Sequence, residues 1–299
     1  MIGRFFVRLI YAQAGWARPF GDFNHRWLSA LFRPIKPVKD FLNGKWLGHS
    51  VHAALTDVPI GVFTLAIIFD LLGWFGIAGG LTGPADIAIA FGILAMIAAA
   101  VAGFADYTDV DDHPRMVATV HATVMVVGLI VYIVSLVLRL GAPTGYRTVA
   151  IVVGLLGYLI VTGGAFVGGE NVYALGDMVN RHAWRFGGTP KWTKLDITEV
   201  PEGQPTKAKA GTQTLVLVRQ GTTIYALHDQ CAHAGGPLSE GRVVNGCIEC
   251  PWHQSCYDLA TGRRKSGPTT FDQPNYQVRE AEGGGWEVLR LGAGTGQNI

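Results

Sequence analysis

Charged side chains are scarce in this sequence. Lys, Arg, Asp and Glu make up 15% of its 299 residues, against about 25% in ordinary soluble domains. Cysteine is rarer still, with four in all, which excludes a disulfide-stapled miniprotein. With 49% hydrophobic residues, the low charge also excludes a disordered or collagen-like chain. The net charge of +2 leaves no basic excess for general nucleic-acid binding. The scarcity is uneven: residues 1–54 carry eight Lys/Arg and two Asp, 55–189 carry five and nine, and 190–299 carry eleven of each sign. The last part is therefore about 20% charged, like a soluble domain, and the middle is where charge disappears.

Four stretches in that middle are long enough to cross a bilayer, which takes roughly 20 apolar residues: Val58–Gly76, Pro84–Phe104, Val117–Leu138 and Thr148–Gly168. The last two lack Asp, Glu, Lys and Arg, and the first two hold only Asp70 and Asp86, each toward an end. Four buried helices of a soluble protein would leave no polar face for water. Short links at 77–83 and 141–147 favour a compact antiparallel bundle, and Gly164 with Gly168 forms a small-residue pair suited to close helix approach. The basic residues Arg4, Arg8, Arg18, Arg26, Arg33, Lys36, Lys39 and Lys45 precede the first span, and Arg181, Arg185, Lys191 and Lys194 follow the fourth. The positive-inside rule then places both termini and the soluble tail in the cytoplasm of a multi-pass inner-membrane protein. No cleaved signal peptide is expected, because Arg8 and Arg18 interrupt any apolar run. Met1–Ala17 is expected to be a short amphipathic helix on the membrane surface.

All four cysteines lie between positions 231 and 256, with His233 and His253 among them. The arrangement is Cys231-Ala-His233, sixteen residues, then Cys250-Pro-Trp-His253. Thiolates and imidazoles are the ligands that zinc and iron take. Each loop supplies one of each, whereas a zinc site usually groups its cysteines and its histidines separately; mixed loops suit a two-iron cluster with both thiolates on one iron and both imidazoles on the other.

On these residues the chain resembles the Rieske 2Fe-2S family, whose C-x-H and C-x-x-H pattern is matched in full by Cys231, His233, Cys250 and His253. Gly235-Gly236-Pro237-Leu238 and Ser255, Tyr257, Asp258, Thr261 and Gly262 extend the likeness over about residues 191–291. The resemblance implies these four as cofactor-binding, metal-ligating residues of one 2Fe-2S cluster, a small all-β fold, and a covering loop at Ser266-Gly267-Pro268. Alternating β-branched residues predict strands at 214–219, 222–228, 247–250, 276–279 and 286–289. Where quinol-oxidising relatives have a disulfide, this chain has Gly236 and Trp252, so it looks like the ferredoxin type. Cys247 and Cys256 are read as small buried hydrophobes on strands. Ser255 and Tyr257 stand where family hydroxyls tune the cluster, and Gln254 replaces a frequent glycine.

His52, in the entry to the first span, and His121, in the third, belong to a segment at about 45–182 that resembles an uncharacterised bacterial four-span membrane family. Both should lie at one depth, near the same face. They are candidate haem ligands, although the plainer and favoured reading makes them hydrogen-bonded helix caps that meet Asp57 and Asp106. Asp109, Asp111 and Asp112 read as a solvated acidic link, and His182 with Trp184 as an interfacial anchor.

The expected fold class is thus a membrane α-helical bundle of four transmembrane helices followed by a small all-β Rieske iron-sulfur domain. Its boundaries are a leader at 1–54, the bundle at 55–170, a linker at 171–190, the β domain at 191–291 and a tail at 292–299. A cluster with every position filled by protein transfers single electrons, leaving through exposed imidazoles. Only 46 residues follow His253 and none is histidine, so the mononuclear iron site of a Rieske oxygenase is not expected and no catalytic residue is assigned. The leading expectation is a membrane-anchored one-electron carrier with membrane lipid and a redox partner protein as partners, no nucleic acid, and room for a homo-oligomer through the bundle. A membrane reductase with haem b or quinone in the bundle, and a redox sensor, are the alternatives.

Overall fold

The computed structural model describes residues 2–141, 147–183 and 189–291. The chain divides into two compact units, Met1–Asn43 with Ser50–Asp177, and Gly44–His49 with Met178–Ile299.

The first unit is helical. Helices α1 (Ile2–Tyr11), α2 (Ala14–Phe32) and α3 (Lys36–Leu42) lead into four long ones: α4 (Val51–Trp74), α5 (Thr82–Tyr107), α6 (Asp112–Gly141) and α7 (Arg147–Gly169), the last continuing into a π turn at Glu170–Ala174. With 24 to 30 residues each, α7 counted through its π turn to Ala174, these four are long and apolar enough to cross a membrane. Ser50 caps α4, its hydroxyl accepting from the Ala53 amide at 3.3 Å. The leader departs from expectation. Its helix breaks at Ala12-Gln13 and resumes as α2, which reaches Phe32 and packs into the bundle at Gly21. A Cβ there would stand 2.5 Å from Thr119 Oγ1. The Tyr107 hydroxyl bonds the Gly21 carbonyl at 3.1 Å and Thr119 at 2.7 Å. Asp109 is not part of a solvated link. It is buried, and takes Lys39 Nζ at 2.6 Å and Asn43 Nδ2 at 2.9 Å, because α3 brings a cation and an amide to the end of α5.

The bundle is built from two similar hairpins. Positions of α4 meet positions of α6 at a constant offset of 69 residues: His52 faces His121 with ring centroids 6.2 Å apart, Phe63 stacks on Tyr132 at 3.7 Å, and Asp70 pairs with Arg139 at 2.5 Å. The glycines backing these rings repeat between α5 and α7 at an offset of 65: Gly92 and Gly157 lie against Phe63 and Tyr132, Gly103 and Gly168 against His52 and His121. A Cβ at any of the four would approach the ring to between 2.4 and 3.2 Å. Equal offsets with reciprocal contacts define a local two-fold between the α4–α5 and α6–α7 hairpins. The sequence carries the same signal, since His52-Ala53, Val58, Val62 and Leu71 recur as His121-Ala122, Val127, Val131 and Leu140. A search for internal repeats would have found it.

The second unit is β-rich. Strands β1 (Thr193–Lys194), β2 (Thr206–Ala210), β3 (Gln213–Gln220), β4 (Thr223–His228), β9 (Asn275–Glu280) and β10 (Trp286–Leu291) form one antiparallel sheet in the order β1-β10-β9-β4-β3-β2. Strands β5 (Arg242–Val244), β6 (Cys247–Glu249), β7 (Cys256–Asp258) and β8 (Arg264–Ser266) form a second, inserted between β4 and β9. The five predicted strands are all present. The missed ones are three-residue pieces, the two-residue β1, and the Lys/Ala strand β2, which sits at a sheet edge where lysine discourages further pairing.

One ion cluster lies within the helical unit, with Asp70 and Arg139 at its buried centre. Arg139 bonds Asp70 and Asp86 with its side chain 0% exposed, and Arg147 bonds Asp86 at 2.8 Å. Removing one member of a buried pair costs about 3 to 5 kcal/mol, because the partner charge is left uncompensated. Arg139→Met should therefore melt well below the parent protein in detergent, followed by circular dichroism. The Asp70→Leu, Arg139→Leu double variant should recover part of that loss.

Candidate metal centre

The two sequence motifs occupy two loops of the second unit, one between β4 and β5 and one between β6 and β7. The loops are built alike. In the first, the Cys231 amide donates to the Gly236 carbonyl at 2.8 Å and the Gly235 amide to the Cys231 carbonyl at 3.0 Å. In the second, the Cys250 amide donates to Ser255 at 2.8 Å and the Gln254 amide to Cys250 at 3.0 Å. Each loop turns at the fourth residue after its cysteine, in the left-handed region, with φ of 90° at Gly235 and 61° at Gln254. Glycine takes that conformation without strain; glutamine pays for its Cβ. This is why a glycine suits position 254, and the loop keeps its shape without one.

The loops bring like ligands together. Cys231 and Cys250 are both buried and hydrogen-bonded to each other; that bond lowers the Cys250 thiol and, with burial, holds Cys231 well above its ordinary value. The His233 and His253 rings meet edge to face with centroids 5.0 Å apart. Among the described residues no three His, Cys, Asp or Glu side chains converge on a single-ion site. Tyr257, fully buried, places its hydroxyl 3.1 Å from Cys231 Sγ. Burial pushes that phenol well above its ordinary value, so it stays protonated and donates to a thiolate. Ser255 is 0% exposed and its Oγ has no hydrogen-bond partner within the protein.

The third loop backs this arrangement as the resemblance implied. At Gly267, with φ of 94°, a Cβ would sit 2.3 Å from the Ser255 Cα, so only glycine lets the two backbones touch. Gly236 and Trp252 are also adjacent, a Cβ on the former falling 2.8 Å from the indole and 2.9 Å from Cys250 Sγ. Gln273 gave no sequence signal. It is buried, accepts from the Ala232 amide at 2.9 Å, and donates to the carbonyls of His228 and Gln230 at 2.6 and 2.7 Å, clamping the first loop from behind.

Several expectations need correction. Cys247 and Cys256 are buried on strands, but they are joined as a disulfide: diagonal neighbours on β6 and β7, their Cα atoms stand 5.8 Å apart, within bridging range. His182 is no interfacial anchor. It is fully buried in the second unit, its Nε2 2.8 Å from the Gln230 carbonyl and its ring against His228; Trp184 lies outside the described residues. The imidazoles are not both exposed, for His233 is buried and His253 half-buried. In the helical unit, His52 and His121 come together without meeting Asp57 or Asp106. Their Nδ1 atoms bond the Ala99 and Gly164 carbonyls, each at 2.8 Å, while Asp106 accepts from Ser50.

The turn at 254 generates a prediction. Gln254→Gly should keep the iron content of the parent, whereas Gln254→Val should lose most of it, because a β-branched residue at positive φ costs on the order of 2 kcal/mol more than glycine. Iron per chain and the visible spectrum of the purified protein measure both.

A family model described as Rieske [2Fe-2S] domain matches residues 191–277, and one described as Predicted membrane protein (DUF2231) matches 48–181. The anthranilate 1,2-dioxygenase ferredoxin subunit of Burkholderia cepacia is 39% identical over 94 residues, covering 31% of this chain and 87% of that protein. The ferredoxin component of the naphthalene 1,2-dioxygenase system of Pseudomonas aeruginosa is 33% identical over 92 residues, 30% of this chain and 88% of that protein. Ferredoxin CarAc of Metapseudomonas resinovorans is 35% identical over 75 residues, 25% of this chain and 70% of that protein. With its paired cysteines and paired histidines on two matched loops, the chain belongs to the Rieske 2Fe-2S family through its β unit, joined to a membrane domain of the DUF2231 kind.

Proposed function

We propose that this protein is a membrane-anchored one-electron carrier, in which Cys231 and Cys250 hold one iron of the 2Fe-2S cluster and His233 and His253 hold the other. The observation that carries the assignment is the sorting of ligands, thiol against thiol and imidazole against imidazole. The donor set fits the group: Ser255, buried and without a protein acceptor, supplies a hydroxyl for a cluster sulfide, and Tyr257 supplies one for the Cys231 thiolate. When bound, the cluster takes up and releases single electrons. The protein keeps it dry on the thiolate side and reaches the surface through His253 and the exposed indole of Trp252. A protein redox partner docks there, as a ferredoxin's electrons must pass to another protein. The basic leader supports a cytoplasmic position for the β unit.

Electron paramagnetic resonance of the full-length protein in detergent, reduced under argon, tests the assignment. A Rieske-type signal is expected from the parent and none from Cys231→Ser or His253→Ala; a signal that survives either substitution would remove the assignment. Protease should cut the β unit in inside-out membrane vesicles and spare it in intact spheroplasts.

The hydroxyl donors set the potential. A hydrogen bond to a ligand sulfur stabilises the reduced, more negative cluster, so its removal lowers the potential. Loss of about 1 kcal/mol corresponds to roughly 40 mV for one electron. Tyr257→Phe and Ser255→Ala should each shift the midpoint down by tens of millivolts in a titration followed by visible absorbance.

A further inference from the structure

The paired positions along the local two-fold of the helical unit are satisfied at two levels and not at the third. Phe63 and Tyr132 stack, and Asp70 and Arg139 neutralise one another. His52 and His121 do neither. Each ring binds a backbone carbonyl through Nδ1, His52 that of Ala99 and His121 that of Gly164. A carbonyl only accepts, so the proton of each neutral imidazole resides on Nδ1 and each Nε2 carries a lone pair. Among the described residues the hydrogen bonds of both rings run through Nδ1. Two lone pairs cannot bond to each other, so the two Nε2 atoms do not satisfy one another.

We propose that His52 and His121 are the two axial ligands of a b-type haem held in the membrane bundle. Four observations converge. The two rings are neighbours across the two-fold, with centroids 6.2 Å apart and planes crossed at 75°. Two imidazoles on one metal, with bonds of about 2 Å and roughly 1 Å from nitrogen to ring centre, stand about 6 Å apart. The carbonyl bonds fix the tautomer and leave Nε2 for the metal, the second-shell device by which metal-bound histidines are oriented. Gly103 and Gly168, each one turn beyond the carbonyl that holds its histidine, let the rings lie against the helix backbone, where a Cβ would come within 2.8 and 2.9 Å. Finally, no third His, Cys, Asp or Glu joins the pair among the described residues. A lone zinc ion would then lack half its four ligands, whereas haem iron brings four nitrogens of its own and asks the protein for two. The proposal stands apart from the cluster assignment, since no residue of the β unit enters it.

The test uses the full chain, produced in cells supplied with a haem precursor and purified in detergent. One b-type haem per chain by pyridine haemochrome, with a bis-imidazole low-spin resonance when oxidised, is expected. His52→Gly and His121→Gly should each lower haem content at least tenfold while the helical circular dichroism and its melting in detergent, which report that the bundle is folded, persist. Imidazole added with haemin should restore the low-spin spectrum to the glycine variants, a rescue that a helix-capping role would not produce. The proposal is overturned if the parent protein carries no haem and takes up none when titrated with haemin, if it holds copper at that site instead, or if both glycine variants keep parental haem. Loss of the helical signal together with haem in the glycine variants would leave the decision to the parent's own spectrum, where a high-spin or single-imidazole resonance overturns the assignment.

Discussion

The metal centre depends on one backbone device used twice. In each loop the ligand cysteine donates its amide five residues ahead and receives an amide from four residues ahead, so the chain doubles back over the sulfur. The reversal demands a left-handed residue at the fourth position. With both loops turned in this way, the two cysteines are hydrogen-bonded to each other and the two histidine rings meet. The supports act on these curls and not on the ligands. Gly267 presses its backbone on Ser255, and Gln273 holds the Ala232 amide and the flanking carbonyls.

That construction explains what was legible in the sequence. Residue type and spacing are local properties, so the motif that brings Cys231 to Cys250 and His233 to His253 could be read directly, as could the longer strands that alternate over six or more residues. Gln273 was not legible, because its role comes from meeting a loop more than 40 residues away and glutamine has no characteristic spacing. His182 failed for the opposite reason. It stands just after a membrane helix, where aromatic and basic residues commonly mark the interface, yet tertiary contact with Gln230 outweighs that tendency. The Cys247–Cys256 bridge was hidden by strand register: two residues on neighbouring strands become diagonal partners only once the β6–β7 pairing is known.

In the helical unit, hydropathy revealed the four spans within a few residues, because the requirement for internally satisfied backbone leaves few alternatives to a helix in lipid. Hydropathy says nothing about which faces meet. The offset of 69 residues does, and it was visible in His52-Ala53 and His121-Ala122. It also resolves the polar residues of the spans. Asp70 and Asp86, and Arg139 and Arg147, lie near span ends that alternate in direction, so an antiparallel bundle brings all four to one end. Paired in this way, their charges largely cancel.

The two-fold is broken in one place, and the break is informative. A position on a true symmetry axis meets its own copy. His against His, and an aromatic against an aromatic, satisfy that condition, so those pairs would serve equally well in a dimer of single hairpins. An acid against a base does not. Asp70 meeting Asp70, or Arg139 meeting Arg139, would bury like charges at a cost of several kcal/mol. The Asp70–Arg139 pair therefore works only when the two hairpins differ, which a single chain guarantees, and it fixes which hairpin plays which part.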